Sequence, residues 1–261
     1  MTMYKSTQHT AHKIKVIKLG GSTLEGLNEA FFANFKSLQQ AGYKLIITHG
    51  GGPAINRALE KAGITSTTVN GLRVTTDEMI SIVQSTLIGQ VNPMLVSQLR
   101  QAGIQAIGLN GFDNHLLVSN YIDKQVYGHV GEVKAVQTDV LYTLLDAGIV
   151  PVIACVGVTE IGQALNINGD TVASEVALAV NAESLLLVTD VAGIRIKGEN
   201  QQEVTEQQIN KWIEEEHIYG GMIPKVKGAL ACLHAGIPTV QIVNDNLIGT
   251  TIIKEGAVVE Q

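Results

Sequence analysis

Two lysines stand beside glycine pairs in this sequence, in settings where an ammonium group needs an anionic partner. Lys18 interrupts the apolar run of the segment VIKLGGS and is followed closely by Gly20 and Gly21. Burial of an unpaired ammonium group is costly, so a lysine in a buried strand indicates that an anion meets it. Lys225, in YGGMIPKVKGAL, falls in the first turn of a predicted helix, where a cation benefits from an anion held nearby. The alternative for Lys225 is a solvent-facing side chain.

A second glycine-rich turn, Gly50-Gly51-Gly52, follows His49 at the end of another apolar run. Glycine permits positive φ and close backbone approach, so successive N–H groups can converge on phosphate or carboxylate oxygens. Neither this turn nor Gly20-Gly21 has the spacing of a Walker A loop or of a dinucleotide-binding G-x-G-x-x-G motif. His49 ends a buried strand and is interpreted as a core or loop histidine rather than an acid–base catalyst.

The segment ALNINGDTVAS provides a third group of polar side chains. Asn166 and Asn168 alternate with apolar residues, so both amides project from one face of an extended segment. Asp170 then opens a predicted helix. A purely structural alternative stays open, in which Asp170 is the helix N-cap and the asparagines close a turn.

These candidate residues lie at the ends of apolar runs, and the runs predict a parallel sheet. They are IKVIKLGG, YKLIITHGGG, QAIGLNG, IVPVIACVG, SLLLVTDVAG and IPTVQIV, most of them separated by lengths that suit a helix. Runs unbroken by polar alternation are typical of parallel strands buried on both faces. In an open α/β sheet, ligands bind beyond the carboxyl ends of the strands, where these glycine turns lie. The sequence therefore predicts an α/β protein with its site at that edge.

Local signals place the connecting elements. Helices are predicted over residues 25–41, 53–62, 137–147 and 171–181. Another helix is predicted to begin near residue 76, because Thr75 and Glu78 have capping-box spacing. Shorter alternating segments between residues 111 and 135, among them GHVGEV with His129, indicate β-hairpins at an edge of the sheet.

Composition narrows the class of protein. The 261 residues, 45% of them hydrophobic, suffice for one large domain or two closely packed lobes. A formal net charge of -6 and an aromatic share of 4% argue against a nucleic-acid or anionic-membrane partner. Cys155 and Cys232 lie in apolar segments and indicate neither a disulfide framework nor a metal site. The polar N-terminus has no signal-peptide core and no apolar segment approaches about 18 residues, so we expect a cytoplasmic protein.

Taken together, the motifs form a recognisable set. In chain order they are VIKLGGS, ITHGGGPAIN, NGLRVT, GHVGEV, NINGD, VTDVAGI and GGMIPKVKGAL, and they span nearly the whole chain. This set resembles the amino acid kinase family, and NGLRVT with NINGD is similar to its acetylglutamate kinase branch. The resemblance implies a three-layer αβα sandwich with a mainly parallel central sheet and β-hairpins at the substrate lobe. It also implies phosphorylation of the γ-carboxylate of N-acetyl-L-glutamate by ATP in arginine biosynthesis, giving N-acetyl-L-glutamyl 5-phosphate and ADP.

The same resemblance implies catalytic roles. Lys18 and Lys225 match the two lysines that stabilise the transferred phosphoryl group, and Asp170 matches the residue that orients both. Phosphoryl transfer depends mainly on alignment and charge stabilisation, which two ammonium groups can provide. No general base is needed, because the acceptor carboxylate is already ionised at neutral pH.

For the acceptor substrate, Gly50 and Gly51 match backbone contacts and Asn166 matches a side-chain contact. Arg73, in NGLRVT, matches the residue that grips the substrate's other carboxylate, for which a planar guanidinium has bidentate geometry.

The nucleotide is expected over the C-terminal part of the chain. The resemblance assigns it the turn Asp190, Val191, Ala192, Gly193 and Ile194, while Gly20 and Gly21 let the backbone approach the phosphoryl group. By position, residues 217–219 are expected to add contacts. Magnesium is expected to be held by the ATP phosphates rather than by a protein ligand cluster. Without the resemblance, Asp190 would be interpreted as a turn former.

The chain is expected to form one continuous domain with two lobes. Residues 1–170 are assigned to acetylglutamate binding and dimerisation, and residues 171–261 to ATP binding. Only 13 polar residues precede the first strand, so the additional N-terminal helix of hexameric, arginine-inhibited relatives is not predicted. We therefore expect a homodimer that arginine does not inhibit, joined through the sheet or through the helix around residues 76–90.

Two alternatives remain at this stage. One is a related kinase acting on N-acetyl-aminoadipate, because one methylene provides only about 1–3 kcal/mol of discrimination. The other is a non-catalytic ligand sensor on the same fold. A sensor is expected to have lost Lys18, Asp170 or Lys225, and this sequence retains all three.

Overall fold

The computed structural model describes residues 13–255. The expectation about the segment before the first strand falls on residues 1–12, outside the described residues. The strands are β1 (Ile14–Leu19), β2 (Lys44–His49), β3 (Thr68–Val69), β4 (Leu72–Arg73), β5 (Ala106–Leu109), β6 (Leu117–Tyr121), β7 (Val130–Val136), β8 (Val150–Ala154), β9 (Val156–Val158), β10 (Ala164–Ile167), β11 (Ser184–Val188), β12 (Arg195–Ile196), β13 (Glu199–Asn200), β14 (Glu203–Thr205), β15 (Thr239–Val243) and β16 (Gly249–Ile253). The α-helices are α1 (Glu29–Gln40), α2 (Gly52–Lys61), α3 (Asp77–Thr86), α4 (Asn92–Gln101), α5 (Lys124–Tyr127), α6 (Asp139–Asp146), α7 (Gly169–Ala179), α8 (Glu206–Glu214) and α9 (Met222–Ala235).

The central sheet has eight strands in the order β14-β16-β15-β11-β1-β2-β8-β5. All neighbouring pairs are parallel except β15 and β16, which are antiparallel. Every residue of β8 and of β11 is buried, as the unbroken apolar runs indicated. The prediction of a mainly parallel sheet is therefore confirmed.

Helices cover both faces of this sheet. Along β1, Val16 belongs to one hydrophobic cluster while Ile17 belongs to another, because successive side chains point to opposite faces. The first cluster includes buried residues of α2, α3, α6, α7, α8 and α9, and the second includes those of α1 and α4. The result is the three-layer αβα sandwich that the resemblance implied.

A smaller layer of strands lies beside the main sheet. Strands β6, β7, β10 and β9 close into a four-stranded ring. Strands β6 and β7 form an antiparallel pair within the region predicted as hairpins, but they lie in this ring and not at an edge of the central sheet. The short hairpin of β3 and β4 turns at Asn70 and Gly71, both with positive φ. An Asn-Gly pair is the residue combination that a two-residue hairpin turn favours. This hairpin carries Arg73 into the site.

One predicted helix cap is wrong. Thr76 caps α3, and its side chain accepts a hydrogen bond from the Met79 N–H. Thr75 still belongs to the extended segment, because its N–H donates to Tyr127 O and its carbonyl accepts from His129 N. With its backbone used in this way, Thr75 has a buried hydroxyl available for other contacts.

Helices α3 and α4 are joined by a π-helical turn, Leu87–Val91, into one helix of 25 residues, Asp77–Gln101. By length and composition alone this helix could cross a membrane, whereas the sequence analysis found no apolar segment near that length. Its buried apolar residues recur at every fourth position and pack into the two clusters beside the sheet: Met79, Val83, Leu87, Val91, Leu95 and Leu99. Such a stripe is typical of a helix that packs against a protein core.

Candidate active site

Lys18 forms an ion pair with Asp170 at the carboxyl edge of the sheet. The distance between Lys18 Nζ and Asp170 Oδ1 is 2.9 Å. Asp170 lies in the first turn of α7, but the N-cap is Asn168, whose side chain accepts from the N–H groups of Asp170 and Thr171. The structure therefore answers the open question about Asp170, since its carboxylate meets the Lys18 ammonium instead of capping the helix.

Two glycines lie next to this ion pair. A Cβ built on Gly20 would lie 2.6 Å from Lys18 Nζ, and one on Gly169 would lie 3.5 Å from Lys18 Cε. Gly21 follows with φ of 56°, in the left-handed region that favours glycine. The Lys18 side chain thus lies between two backbone segments that carry no side chain at these points.

Lys225 has a different carboxylate partner. Its Nζ donates to Asp190 Oδ1 at the end of β11, and this contact holds the pKa of the Asp190 carboxyl below its usual value. The resemblance implied that Asp170 orients both lysines, whereas this structure pairs Lys18 with Asp170 and Lys225 with Asp190. The site thus contains two Lys–Asp pairs, one from β1 and α7 and the other from α9 and the turn after β11.

A cavity of about 190 Å³ brings the four predicted substrate residues together. Its lining includes Gly50, Gly51, Arg73 and Asn166. Gly169 also lines this cavity, and a Cβ there would lie 3.7 Å from Gly50 N as well as close to Lys18. The Lys18–Asp170 pair is therefore next to the cavity, although these residues come from distant parts of the chain.

Arg73 is held by two side chains that the sequence analysis missed. Its Nη2 donates to Asn56 Oδ1 at 2.6 Å, and its Nη1 donates to Ser66 Oγ. Burial lowers the pKa of the guanidinium, but arginine stays charged at neutral pH. Arg73 also lines a neighbouring cavity of about 580 Å³ between α2 and the loop that follows it. No local sequence signal marks Asn56 or Ser66 as its partners.

Thr75 joins Arg73 to Asn166 and was also missed. Asn166 Nδ2 donates to Thr75 Oγ1 at 3.0 Å, and Thr75 Oγ1 donates to the Arg73 carbonyl at 3.0 Å. The motif NGLRVT contains Thr75, so a signal existed, but the capping-box spacing led to a different interpretation. The hydroxyl connects the hairpin of β3 and β4 with β10.

The turn after β11 has an exposed side and a supporting side. Asp190 and Ala192 are exposed and Val191 is half-buried, while Gly193 and Ile194 are buried. Ile194 donates its N–H to Thr250 Oγ1 and accepts from Gln201 N, so its backbone groups support the turn. Gly193 has φ of 94°, and a Cβ there would lie 2.6 Å from Thr250 N. Nearby, Tyr219 precedes α9 with 74% of its surface exposed.

Comparison with known proteins gives the chain its family. Residues 13–244 match the sequence profile of the amino acid kinase family. This chain belongs to the amino acid kinase family. The acetylglutamate kinase of Geobacillus kaustophilus (strain HTA426) is 45% identical over 251 residues, which cover 93% of this chain and 97% of that protein. The acetylglutamate kinase of Halalkalibacterium halodurans is likewise 45% identical over 251 residues, covering 93% of this chain and 96% of that protein.

Solved structures agree with this amino acid kinase fold. A structure from Streptococcus mutans UA159 has a TM-score of 0.81 and 37% identity, covering 92% of this chain and 98% of that one. The N-acetylglutamate synthase of Neisseria gonorrhoeae, complexed with coenzyme A and N-acetyl-glutamate, has a TM-score of 0.77 and 26% identity, covering 94% and 60%. The carbamate kinase of Giardia lamblia has a TM-score of 0.64 at 17% identity, covering 94% and 99%, and this likeness concerns the fold alone.

Burial changes the pKa of two titratable side chains near the cavity of this amino acid kinase. Cys155 lines the cavity, but burial raises the pKa of its thiol to about 11, so it stays protonated at neutral pH. His49 is fully buried, and burial lowers its pKa to about 4, so its ring is neutral. His129 pairs with Asp77, at 2.5 Å from Nε2 to Oδ1, and contacts Tyr121. Cys155 and His49 are therefore uncharged at neutral pH.

The carboxylates of the site fit a metal carried by the nucleotide. Among residues 13–255 there is no group of three or more His, Cys, Asp or Glu side chains arranged to hold a metal ion. Asp170 and Asp190 are each already paired with an ammonium group. Magnesium is suited to binding through phosphate oxygens with few protein ligands, so this arrangement is compatible with MgATP.

Proposed function

We propose that this amino acid kinase transfers the γ-phosphoryl group of ATP to the γ-carboxylate of N-acetyl-L-glutamate, as a step of arginine biosynthesis. The products are N-acetyl-L-glutamyl 5-phosphate and ADP. The observation that carries the proposal is the similarity to acetylglutamate kinases over 93% of the chain. The cavity beside the Lys18–Asp170 pair supports it, because it gathers the residues that the resemblance assigns to this substrate.

In this reaction an oxygen of the acceptor carboxylate bonds to the γ-phosphorus while the bond to the ADP oxygen breaks. Lys18 and Lys225 stabilise the negative charge on the transferred phosphoryl oxygens. Asp170 holds Lys18 and orients its ammonium group, and Asp190 does the same for Lys225 until the nucleotide is bound. The acceptor is ionised at neutral pH, so proton abstraction is not part of the step.

Substrate recognition is assigned to the cavity. Gly50 and Gly51 contact the acceptor through backbone groups, Asn166 through its amide, and Arg73 through its guanidinium at the carboxylate that does not react. Two N–H groups of Arg73 donate to Asn56 and Ser66, so the substrate carboxylate uses its remaining N–H groups or displaces one of these contacts.

The nucleotide is assigned to the other half of the carboxyl edge. Gly20 and Gly21 approach the phosphoryl group, and the turn from Asp190 to Ile194 binds ATP with the buried Ile194 as support. Magnesium accompanies ATP on its phosphates. Within the single domain, residues 1–170 form the substrate lobe and residues 171–261 the nucleotide lobe.

We also propose a cytoplasmic homodimer that arginine does not inhibit. Strand β5 is an edge of the central sheet and exposes Ile107, and Met94 of the neighbouring α4 is exposed as well. A second copy of the chain that covers these apolar side chains would continue the sheet or pair the helices. Light scattering after size exclusion is expected to give the mass of a dimer, and a hexamer would refute this part of the proposal.

The experiment that tests the function measures ADP release from MgATP with N-acetyl-L-glutamate. Parallel reactions contain N-acetyl-aminoadipate, aspartate, glutamate or carbamate. Strong preference for N-acetyl-L-glutamate is expected. Preference for the acetylated acid with one more methylene would keep the mechanism and overturn the substrate, whereas binding without turnover for every acid would favour a ligand sensor.

A further inference from the structure

The peptide between Gly50 and Gly51 needs an external contact to fix its orientation. It is flanked by two residues without Cβ, so rotation of this peptide plane meets few steric barriers. Both glycines line the cavity. If this peptide plane were flipped, the Gly51 N–H group would face the other side of the turn. The contact that fixes this plane therefore decides what the turn offers to a ligand.

His49 makes that contact. Its Nδ1 lies 2.8 Å from the carbonyl oxygen of Gly50. On the other side of the ring, Nε2 lies 2.9 Å from Asn92 Nδ2, which also donates to the Val152 carbonyl at 2.8 Å. The contact with Val152 identifies Nδ2 as the amide nitrogen, so Nε2 must accept and the ring proton is on Nδ1. His49 therefore donates to Gly50 from a ring whose tautomer is fixed by Asn92.

The direction of this hydrogen bond sets the direction of the next N–H group. The Gly50–Gly51 peptide is trans, so the Gly50 carbonyl and the Gly51 N–H point in opposite directions. His49 follows Leu45 and Ile47 on the sheet face covered by α1 and α4, and Asn92 contacts it from α4. The Gly51 N–H consequently points toward the opposite face.

The opposite face is the one that carries Lys18. In β1, Lys18 is two residues after Val16 and so lies on the same face. Val16 belongs to the cluster containing buried residues of α7, and Asp170, the partner of Lys18, lies in the first turn of that helix. In the register of β1 and β2, Lys18 is paired with Thr48, the residue before His49. The side chains of Lys18 and Thr48 therefore lie on one face of the sheet, and the side chain of His49 lies on the other.

We propose that His49 is a positioning residue. It aims the Gly51 N–H, the backbone contact already assigned to the acceptor, at the place where the acceptor carboxylate meets the transferred phosphoryl group, and Asn92 fixes its ring. This inference rests on the proposed location of phosphoryl transfer beside Lys18. His49 touches no reacting atom in this account. It acts through one peptide plane, whose N–H stabilises charge that develops during the transfer.

Two substitutions at His49 separate positioning from packing. His49→Leu removes the donor to Gly50, and His49→Asn retains an N–H donor close to the place of Nδ1. With His49→Leu we expect kcat to fall about 10- to 100-fold, while KM for N-acetyl-L-glutamate and for MgATP changes less than about threefold. With His49→Asn we expect kcat within about fivefold of the unmodified protein. Thermal unfolding is measured on both variants.

A kcat of His49→Leu within twofold of the unmodified protein would overturn the proposal. So would an equal loss of kcat in both variants at equal melting temperatures. Lys18→Ala, assayed in parallel, tests the location of the site separately. If Lys18→Ala is inactive and His49→Leu is normal, only the role of His49 fails. If Lys18→Ala is fully active, the proposed site itself fails.

A measurement on the unmodified protein serves if the variants do not fold. Two-bond ¹H–¹⁵N correlation spectra distinguish the two neutral tautomers of histidine. The proposal requires His49 to be protonated on Nδ1 at neutral pH. Protonation on Nε2 would leave no donor for the Gly50 carbonyl and would overturn it.

Discussion

At the level of single residues, charge in the site is balanced by two separate Lys–Asp pairs. The first pair joins Lys18 of β1 to Asp170 of α7, and the second joins Lys225 of α9 to Asp190 in the turn after β11. An ammonium group with a carboxylate partner is less costly to keep in a partly buried site than an unpaired one. Each ammonium group is therefore held by a carboxylate at the edge of the sheet before substrates arrive.

Removal of Lys225 tests its charge. Lys225→Ala is expected to lower kcat at least about 100-fold, because stabilisation of the transferred phosphoryl group is lost. The melting temperature should change little, since the ion pair with the exposed Asp190 contributes little to folding. The matched control is Lys227→Ala, an exposed lysine two residues further along α9, which should retain normal kcat. Full activity in Lys225→Ala would show that the assignment is wrong.

The Thr75 hydroxyl offers a second test at this level. Thr75→Val keeps the shape of the side chain but removes the hydrogen bonds to Asn166 and to the Arg73 carbonyl. The loss is expected to raise KM for N-acetyl-L-glutamate about tenfold, corresponding to about 1–2 kcal/mol, with kcat within about threefold. Thr75→Ser restores the hydroxyl and should restore KM. Equal KM values for Thr75→Val and the unmodified protein would contradict the role of this contact.

At the level of elements, the helix Asp77–Gln101 supports the glycine turn. Its buried apolar residues recur every four positions, which exceeds the α-helical repeat of about 3.6 residues and would rotate the stripe around the helix. The π-helical turn Leu87–Val91 takes up part of this excess, because it is wider than an α-helical turn. Leu87 and Val91 lie against Gly51, and Asn92, just after the turn, contacts His49.

Substitution of Gly51 tests this packing. A Cβ on Gly51 would lie 2.6 Å from Leu87 Cδ2 and 3.3 Å from Val91 Cγ2, whereas a Cβ on Gly52 meets no atom within 4 Å. Gly51→Ala is expected to reduce the free energy of unfolding by about 1–3 kcal/mol through overpacking. Gly52→Ala should stay within about 0.5 kcal/mol of the unmodified protein. Urea unfolding measures both, and equal stabilities would show that the helix yields to the added methyl group.

At the level of the whole molecule, one sheet joins the two proposed lobes. Strand β1 from the first part of the chain pairs with β11 from the second, so the Lys–Asp pairs of both lobes lie along a continuous edge. The cluster covered by α1 and α4 also includes Leu186, Val188 and Val243 from the second part. The hydrophobic core therefore contains residues from both sides of position 170. The assignment of acetylglutamate binding to residues 1–170 and of ATP binding to residues 171–261 stays a prediction.

The buried His49 makes stability depend on pH. Burial holds its pKa at about 4 in the folded protein, against the ordinary histidine value of 6.5 in the unfolded chain. Below pH 6.5 the unfolded chain binds a proton that the folded protein does not, so stability is lost as pH falls toward 4. The full loss is about 3 kcal/mol.

Carboxylates titrate in the unmodified protein and in His49→Asn alike. Their contribution cancels in the difference between the two stabilities, so this difference isolates the contribution of His49. Urea unfolding from pH 7.5 to pH 4 should show the unmodified protein losing about 3 kcal/mol more than the variant. A stability difference that does not change with pH would show that His49 does not stay neutral in the folded protein.

The amino-acid sequence by itself determined the parallel sheet, the position of the glycine turns and the inward-facing Lys18. These features depend on patterns within a few residues, such as unbroken apolar runs and glycines at strand ends. The motif set also identified the family and Arg73, Asn166, Asp170 and Lys225 as residues to examine.

Only the tertiary structure decided which side chains meet. It paired Lys225 with Asp190, placed Asn56 and Ser66 on Arg73, and made Thr75 a bridge instead of a helix cap. These contacts join segments that are distant in sequence, so they depend on how strands and helices pack across the sheet. The spacing of residues within one segment does not determine such distances. The contact of Asn92 with His49 has the same origin, since a helix and a strand separated by 43 positions must pack before it can form.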